Sequence, residues 1–312
     1  MSLLRKTLIA WGMKKIEKKE LFVPKTIHIE VTNFCNAACV MCPHGKMKRG
    51  QGYMSWKLFK KIVEECKAFE GEGIRFFLHN IGEPLLDPSF FEKVKYIKEN
   101  LLRSTVTFNS NAMLLDENKS RQLLNSGADK VIFSVDGASQ ETYERIREGL
   151  KYDRVKNNLD RFFELKKNSL SKIKVTLQMV VCEDNKSEIE KYKNQWSGKS
   201  DAVVFKPAHN FLDAGKSIKT KKLSKKQLHF CCYPFDMMTI YWNGVVGLCC
   251  WDYDNFCSFG NIENEKIIDV YNNASFERIR EAMHERNAET ITPCNRCSRI
   301  FGQDKDMTYL AS

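Results

Sequence analysis

The sequence predicts an α/β fold built on a parallel sheet, followed by a small cysteine-rich unit. Three observations carry this reading. Six apolar, strand-like runs alternate with helical patterns between residues 25 and 207. Composition changes near residue 208, where a lysine-rich segment containing Gly and Ser reads as a linker. Seven of the twelve cysteines then fall between Cys231 and Cys297, which marks a second unit organised by metal.

In chain order, residues 1–22 have the pattern of an amphipathic basic helix, with Leu4, Leu8, Trp11 and Ile16 on one broad face. Such a helix packs against its own domain or lies on a membrane surface. The first strand is Ile27–Val31, then helix Ser55–Phe69, strand Ile74–His79, helix Pro88–Asn100, strand Ser104–Asn109 and helix Glu117–Ser126. Strand Lys130–Val135, helices within Ser139–Lys167, strand Ile173–Val181, helix Asn185–Trp196 and strand Ala202–Pro207 complete the series. A six-strand parallel series fits an open sheet or a partial barrel equally well. Beyond it, Met238–Trp242 and Val245–Cys249 flank Asn243-Gly244, a hairpin signal. A helix follows around Phe276–Glu285. The expected division is an N-terminal helix (1–25), an α/β unit (26–208), a basic linker (209–230) and a C-terminal unit (231–312).

A chain of 312 residues with 43% hydrophobic and 29% charged content is long enough for one large and one small core. The net charge of +11 is spread over helix surfaces, densest between Lys216 and Lys226, and no nucleic-acid-binding signature accompanies it. A solvated basic surface, or attraction to an anionic substrate, is the expectation. No secretory signal and no apolar run long enough to span a membrane is visible, so the cysteines are expected to be reduced, cytoplasmic and mostly metal-binding.

Cys35, Cys39 and Cys42 stand at Cys-x3-Cys-x2-Cys spacing on the loop leaving the first strand. Iron–sulfur clusters are held by thiolates, normally four. Three close thiolates therefore suggest a [4Fe–4S] cluster with one iron left for another ligand. The competing reading is a zinc loop with a distant fourth ligand. Asn80-Ile81-Gly82-Glu83-Pro84 follows the second strand, where glycine admits close backbone approach and proline fixes the turn. Ser134-Val135-Asp136-Gly137 ends the fourth strand, ahead of a helix bearing Arg147.

Taken together, Glu30-x-Thr32-Asn33-x-Cys35-Asn36-x2-Cys39-x-Met41-Cys42-Pro43, Gly82-Glu83-Pro84 and Ser134-x-Asp136-Gly137 resemble the radical S-adenosylmethionine (radical SAM) superfamily. Met41 stands where many members carry an aromatic residue, and Ile81 replaces a glycine. The resemblance implies a partial (β/α)6 barrel over residues 26–207. It also implies SAM at the open iron, with Gly82, Glu83 and Pro84 at its amino group, Ser134 near its ribose and Arg147 at its carboxylate. Asn109 and Asn111 are further pocket candidates.

The C-terminal pattern Cys231-x17-Cys249-x44-Cys294-x2-Cys297 resembles the shortened Twitch form of the SPASM auxiliary-cluster module. With no cysteine after Cys297, one auxiliary [4Fe–4S] cluster held by these four is implied; structural zinc is the alternative. Cys66, Cys182, Cys232, Cys250 and Cys257 receive no role and suit small buried positions.

The family chemistry implies reductive cleavage of SAM to a 5′-deoxyadenosyl radical, fed by an external donor such as flavodoxin or ferredoxin. Three readings follow. The first is oxidation of a secondary alcohol on a sugar- or cyclitol-type molecule, anionic forms included, with the auxiliary cluster as electron acceptor. The second is thioether formation or epimerisation of a ribosomal peptide; only 34 residues precede Cys35, fewer than a peptide-recognition domain needs. The third is a non-catalytic electron carrier, which would have no use for a SAM pocket. A base is required for the first, and His79, Lys206 and His209 at strand ends are the candidates, with Gln178 lining the cavity.

Overall fold

The structure is a computed structural model, and it describes residues 20–209, Phe211, residues 231–298 and Ile300. The predicted N-terminal helix up to residue 19 and most of the predicted linker lie outside these residues. Residues 20–24 are irregular rather than helical.

The alternating pattern folds as its periodicity dictates. Strands β1 (Thr26–Ile29), β2 (Arg75–Phe77), β3 (Thr105–Ser110), β4 (Lys130–Ser134), β5 (Lys174–Val181) and β6 (Ala202–Pro207) pair in sequence order, all parallel. Between them run α1 (Trp56–Cys66), α2 (Phe90–Asn100), α3 (Glu117–Leu124), α4 (Gln140–Ile146), α5 (Tyr152–Lys167) and α6 (Ile189–Trp196). Three helices start on side-chain caps. Ser55, Asp116 and Ser139 accept the backbone N–H of Leu58, Lys119 and Thr142, which satisfies donors the helix itself leaves open. The predicted Ser139–Lys167 stretch is broken at Arg147–Lys151, where Gly149 adopts φ +89°.

Strand alternation sorts the two faces of the sheet. Ile27, Phe76, Val106, Phe108, Val131, Phe133, Val175 and Leu177 are fully buried in a core shared with Phe59, Ile62, Val94, Leu159, Phe162 and Trp196 of the helices. The opposite face carries His28, His79, Asn109, Gln178 and Lys206, and one cavity of about 480 Å³ touches residues from all six strands. Six parallel strands curl around that cavity, with no pairing between β1 and β6. The open-sheet alternative is thereby set aside in favour of the partial barrel.

The C-terminal segment continues the same sheet. Helix α7 (Tyr233–Asp236) leads into β7 (Met237–Ile240), which pairs parallel to β1 in the register Thr26↔Met237 to Ile29↔Ile240. The predicted hairpin forms: β8 (Val245–Gly247) runs antiparallel to β7, with Gly244 at φ +83° in the turn. Strand β9 (Ser258–Asn261), α8 (Ile267–Tyr271) and α9 (Ala274–His284) complete the unit. Of these three, β9 and α8 are not foreseen from sequence periodicity. Among the described residues no helix is long and apolar enough to cross a membrane.

Candidate active site

The loop after β1 brings Cys35, Cys39 and Cys42 to the C-terminal end of the barrel. It is pinned from outside: Ala38 and Val40 donate their N–H groups to the carbonyls of Glu148 and Ile146 at the end of α4, at 2.8 and 3.0 Å. Cys42 N–H closes back on the Cys39 carbonyl at 3.0 Å. The three thiols line a second cavity of about 190 Å³ together with Gly82, Glu83, Asn109, Ser110, Asn111, Ser134, Asp136 and Arg147. Burial, then the negative Glu83 nearby, pushes the Cys35 thiol up to about 12; burial pushes Cys42 to about 11. These groups stay protonated until a metal supplies compensating charge.

Glu83 is fully buried and holds the pocket floor. Its carboxylate accepts the Ser110 hydroxyl (2.8 Å), the Asn111 N–H (2.8 Å) and the Leu85 N–H (3.1 Å). Asn111 Nδ2 in turn donates to Asn36 Oδ1 at 2.8 Å, so the β3 end is tied to the cluster loop. Arg147 directs Nε (2.7 Å) and Nη2 (2.6 Å) at Asp136 Oδ2, and Asp136 Oδ1 accepts the Val180 N–H at 2.7 Å. Sequence places Asp136 within a motif but does not mark it as the partner that orients Arg147.

Gly82 packs directly on the cluster loop. An added Cβ would sit 2.5 Å from the Thr32 carbonyl oxygen and 2.9 Å from Asn33 Cα. Both are backbone atoms, so Gly82→Ala displaces the loop. SAM binding measured by equilibrium dialysis is expected to weaken by about tenfold or more, about 1.4 kcal/mol; unchanged affinity would show that the contact tolerates a methyl group.

The larger cavity adjoins this pocket, sharing Met41, His79, Asn80, Ile81, Asn109, Gln178, Val180 and Phe211. All three predicted bases line it: His79, Lys206 and His209. Partly buried His79 accepts the Asn109 N–H at Nδ1 (3.3 Å), and desolvation, then neighbouring His28 and Lys206, holds it down to about 3. Lys206 is exposed. The His209 ring lies 3.8 Å from Trp251, and its Nδ1 is 3.4 Å from Ser298 Oγ.

Cys231, Cys249, Cys294 and Cys297, the four predicted C-terminal ligands, line one small apolar cavity with Leu248, Met283 and Ile300. Burial raises both Cys249 and Cys294 well above the usual thiol range, helped at Cys249 by neighbouring Cys250 and Cys294 and at Cys294 by Cys231 and Cys297. Among the described residues, no three His, Cys, Asp or Glu groups converge as a single ion would need. The four thiols border one apolar cavity, a donor set that a [4Fe–4S] cluster or a structural zinc would take. Tyr233 and Trp251 border both this cavity and the large barrel cavity, and Cys250 faces the latter. Sequence reasoning does not single out Trp251, although its position two residues after Cys249 is an available signal.

The described residues therefore fit the groups their motifs imply, three thiols beside a polar pocket and four around an apolar one. Comparison with known proteins agrees. The radical SAM superfamily profile matches residues 29–194, more than half of the chain, and the SPASM iron–sulfur cluster-binding domain matches residues 231–298. The chain is 21% identical over 281 residues to the S-adenosyl-L-methionine-dependent 2-deoxy-scyllo-inosamine dehydrogenase of Niallia circulans, covering 90% of this chain and 95% of that one. It is 30% identical over 112 residues to the tungsten-containing aldehyde ferredoxin oxidoreductase cofactor-modifying protein of Pyrococcus furiosus, covering 36% of this chain and 31% of that relative's length. Among solved structures, BtrN in complex with AdoMet and 2-DOIA superposes with a TM-score of 0.65 at 20% identity, over 92% of this chain and 99% of that one. Streptococcus suis SuiB bound to precursor peptide SuiA gives 0.68 at 13% identity, over 97% and 78%. The chain belongs to the radical SAM superfamily, and is an enzyme of S-adenosylmethionine and [4Fe–4S] clusters.

Proposed function

We propose that this enzyme oxidises a secondary alcohol of a sugar- or cyclitol-type molecule, with an auxiliary cluster accepting the second electron. The observation that supports it best is the shared wall: Tyr233 and Trp251 separate the barrel cavity from the four-cysteine cavity. A carbon radical formed in the barrel then lies one side chain away from an electron acceptor. The likeness to the inosamine dehydrogenase over nearly the full length of both chains supports the same reading.

In this reading Cys35, Cys39 and Cys42 hold one [4Fe–4S] cluster and Cys231, Cys249, Cys294 and Cys297 the other, which makes 231–298 the auxiliary unit. When bound, SAM and the clusters supply hydrogen-atom abstraction and a one-electron acceptor. Gly82, Glu83 and Pro84 shape the site for the SAM amino group, with Asn111 and Ser134 along the pocket and Asn109 where it opens into the larger cavity. Asp136 turns Arg147 toward the SAM carboxylate. The substrate carbon loses a hydrogen atom, its hydroxyl a proton and the resulting radical an electron, which balances to a ketone.

The proton goes to His209. His79 has its acceptor nitrogen occupied by the Asn109 N–H, so its other nitrogen carries a proton and donates. Lys206, exposed near the end of β6, serves as a cation in this reading.

Reduced, reconstituted enzyme given SAM and a panel of cyclitols deuterated at carbon tests the proposal. Deuterium should enter 5′-deoxyadenosine, with one ketone per SAM cleaved. A Cys231/Cys249/Cys294/Cys297→Ala variant should still cleave SAM yet lose the ketone. A redox-neutral product, or a cross-linked or epimerised peptide, would replace this reading with the peptide-modifying one that the likeness to SuiB supports.

A further inference from the structure

We propose that the substrate is a polyol carrying a phosphate or carboxylate, with its anionic group at Lys206 and its hydroxyls at His28 and Asn109. This rests on the small-molecule reading above and narrows it to a substrate class.

The charge of the cavity lining points to an anion. Lys206 and Arg75 face the 480 Å³ cavity together with His28, His79 and His209. Among the described residues, no Asp or Glu lines it. Arg75 is committed at the floor, where Nη2 bonds Thr26 Oγ1 (2.7 Å) and Asp236 Oδ2 (2.8 Å). Lys206 stands at the opposite end, on the C-terminal turn of β6, the side on which the cluster loop sits. A substrate amine placed in this cavity meets a lining that holds Lys206 and no Asp or Glu. A phosphate or carboxylate at Lys206 gains a charge-assisted hydrogen bond.

Two unpaired acceptors point to hydroxyls. His28 is 6% exposed, stacks on Phe77 at 4.7 Å, and has no partner at Nδ1. Its other nitrogen bonds the His79 backbone, and burial holds the ring down to about 4, so it is neutral and Nδ1 keeps its lone pair. Asn109 Oδ1 is likewise buried without a partner and borders the same cavity. Buried acceptors left unsatisfied are costly, and a ligand hydroxyl donating to each removes that cost. Sequence alternation carries the hint: in Ile27-His28-Ile29-Glu30 the polar residues share the inward face.

The test is calorimetric binding to unreduced, SAM-loaded holoenzyme. The probes are myo-inositol, myo-inositol 1-phosphate, glucuronate, glucosamine and inorganic phosphate. At least one of the two anionic polyols should bind about tenfold or more tighter than myo-inositol, with the better of them naming phosphate or carboxylate, and glucosamine should bind weakest. Lys206→Gln should erase the preference for anions. His28→Phe, which keeps the stack on Phe77, should weaken all polyols while leaving inorganic phosphate unaffected. Glucosamine or myo-inositol binding as tightly as either anion would overturn the proposal, as would an anion preference that survives in Lys206→Gln. Binding needs no turnover, so the two readings fail separately: anion preference without ketone formation would sink the oxidation, and a ketone made from an amine or neutral polyol would sink this inference.

Discussion

Replacing Cys35, Cys39 and Cys42 together by alanine should lower the iron of the anaerobically reconstituted protein from about eight to about four per chain and abolish SAM cleavage. The size of the effect follows from how the thiols are held. Ala38 and Val40 anchor the loop to the end of α4 through backbone hydrogen bonds, which the substitutions leave intact. The variant should therefore keep its fold and its C-terminal cluster, and the lost iron reports one site. With all three thiolates gone, the loop offers that cluster no protein ligand, so no residual iron is expected there. Wild type holding about four irons, falling to none in the variant and with zinc recovered alongside, would make the four C-terminal cysteines structural. That result would remove the electron acceptor on which the alcohol oxidation depends.

Much of this architecture is written in local sequence. Each of β1 to β6 is a short apolar alternation, and each of α1 to α6 buries a stripe against it, so periodicity alone locates them. The seven cysteines proposed as cluster ligands are legible by spacing because thiolates carry the chemistry themselves. What stays hidden depends on residues distant in the chain. The parallel pairing of Met237–Ile240 with Thr26–Ile29 spans more than 200 positions and makes the C-terminal unit an extension of the barrel sheet. Composition alone suggests a separable module. The pairing of Asp136 with Arg147 and the placing of Trp251 between the two cavities are likewise products of folding that periodicity does not show. Arg49 gives no signal at all. It reads as one more surface cation in Lys46-Met47-Lys48-Arg49.

Arg49 is instead the tie between the two cluster-bearing regions, and Arg49→Met is expected to destabilise the fold strongly. Its guanidinium forks onto Glu30, a side chain with 0% exposure, with Nη1 2.5 Å from Oε1 and Nη2 against Oε2. Nε donates to the Tyr253 carbonyl at 2.7 Å, and the cation lies 4.3 Å from the Tyr241 ring. Asp254 accepts the N–H groups of Lys48 and Arg49, while Trp242 Nε1 donates to the Gly50 carbonyl at 3.0 Å. The loop after Cys42 is thus fastened to the β7–β8 turn and to the loop after Cys249. Methionine fills most of the volume but strands the Glu30 carboxylate, a loss of about 3–5 kcal/mol for an uncompensated buried charge. Arg49→Lys should recover only part, since an ammonium has no fork. Glu30→Met/Arg49→Met should be more stable than Arg49→Met alone, because no charge is left behind. The deficit also has a pH sign. Burial raises the Glu30 carboxyl and Arg49 opposes that, so removing Arg49 raises it further. A folded-state value above the unfolded one, about 4.3, means the penalty is absent below the ordinary carboxylate range and grows as pH rises through the raised value. Thermal midpoints of the anaerobic holoprotein should therefore show a smaller gap between wild type and Arg49→Met at pH 5 than at pH 8. A gap of equal size at both would assign the loss to the lost contact with Tyr241 and not to the charge.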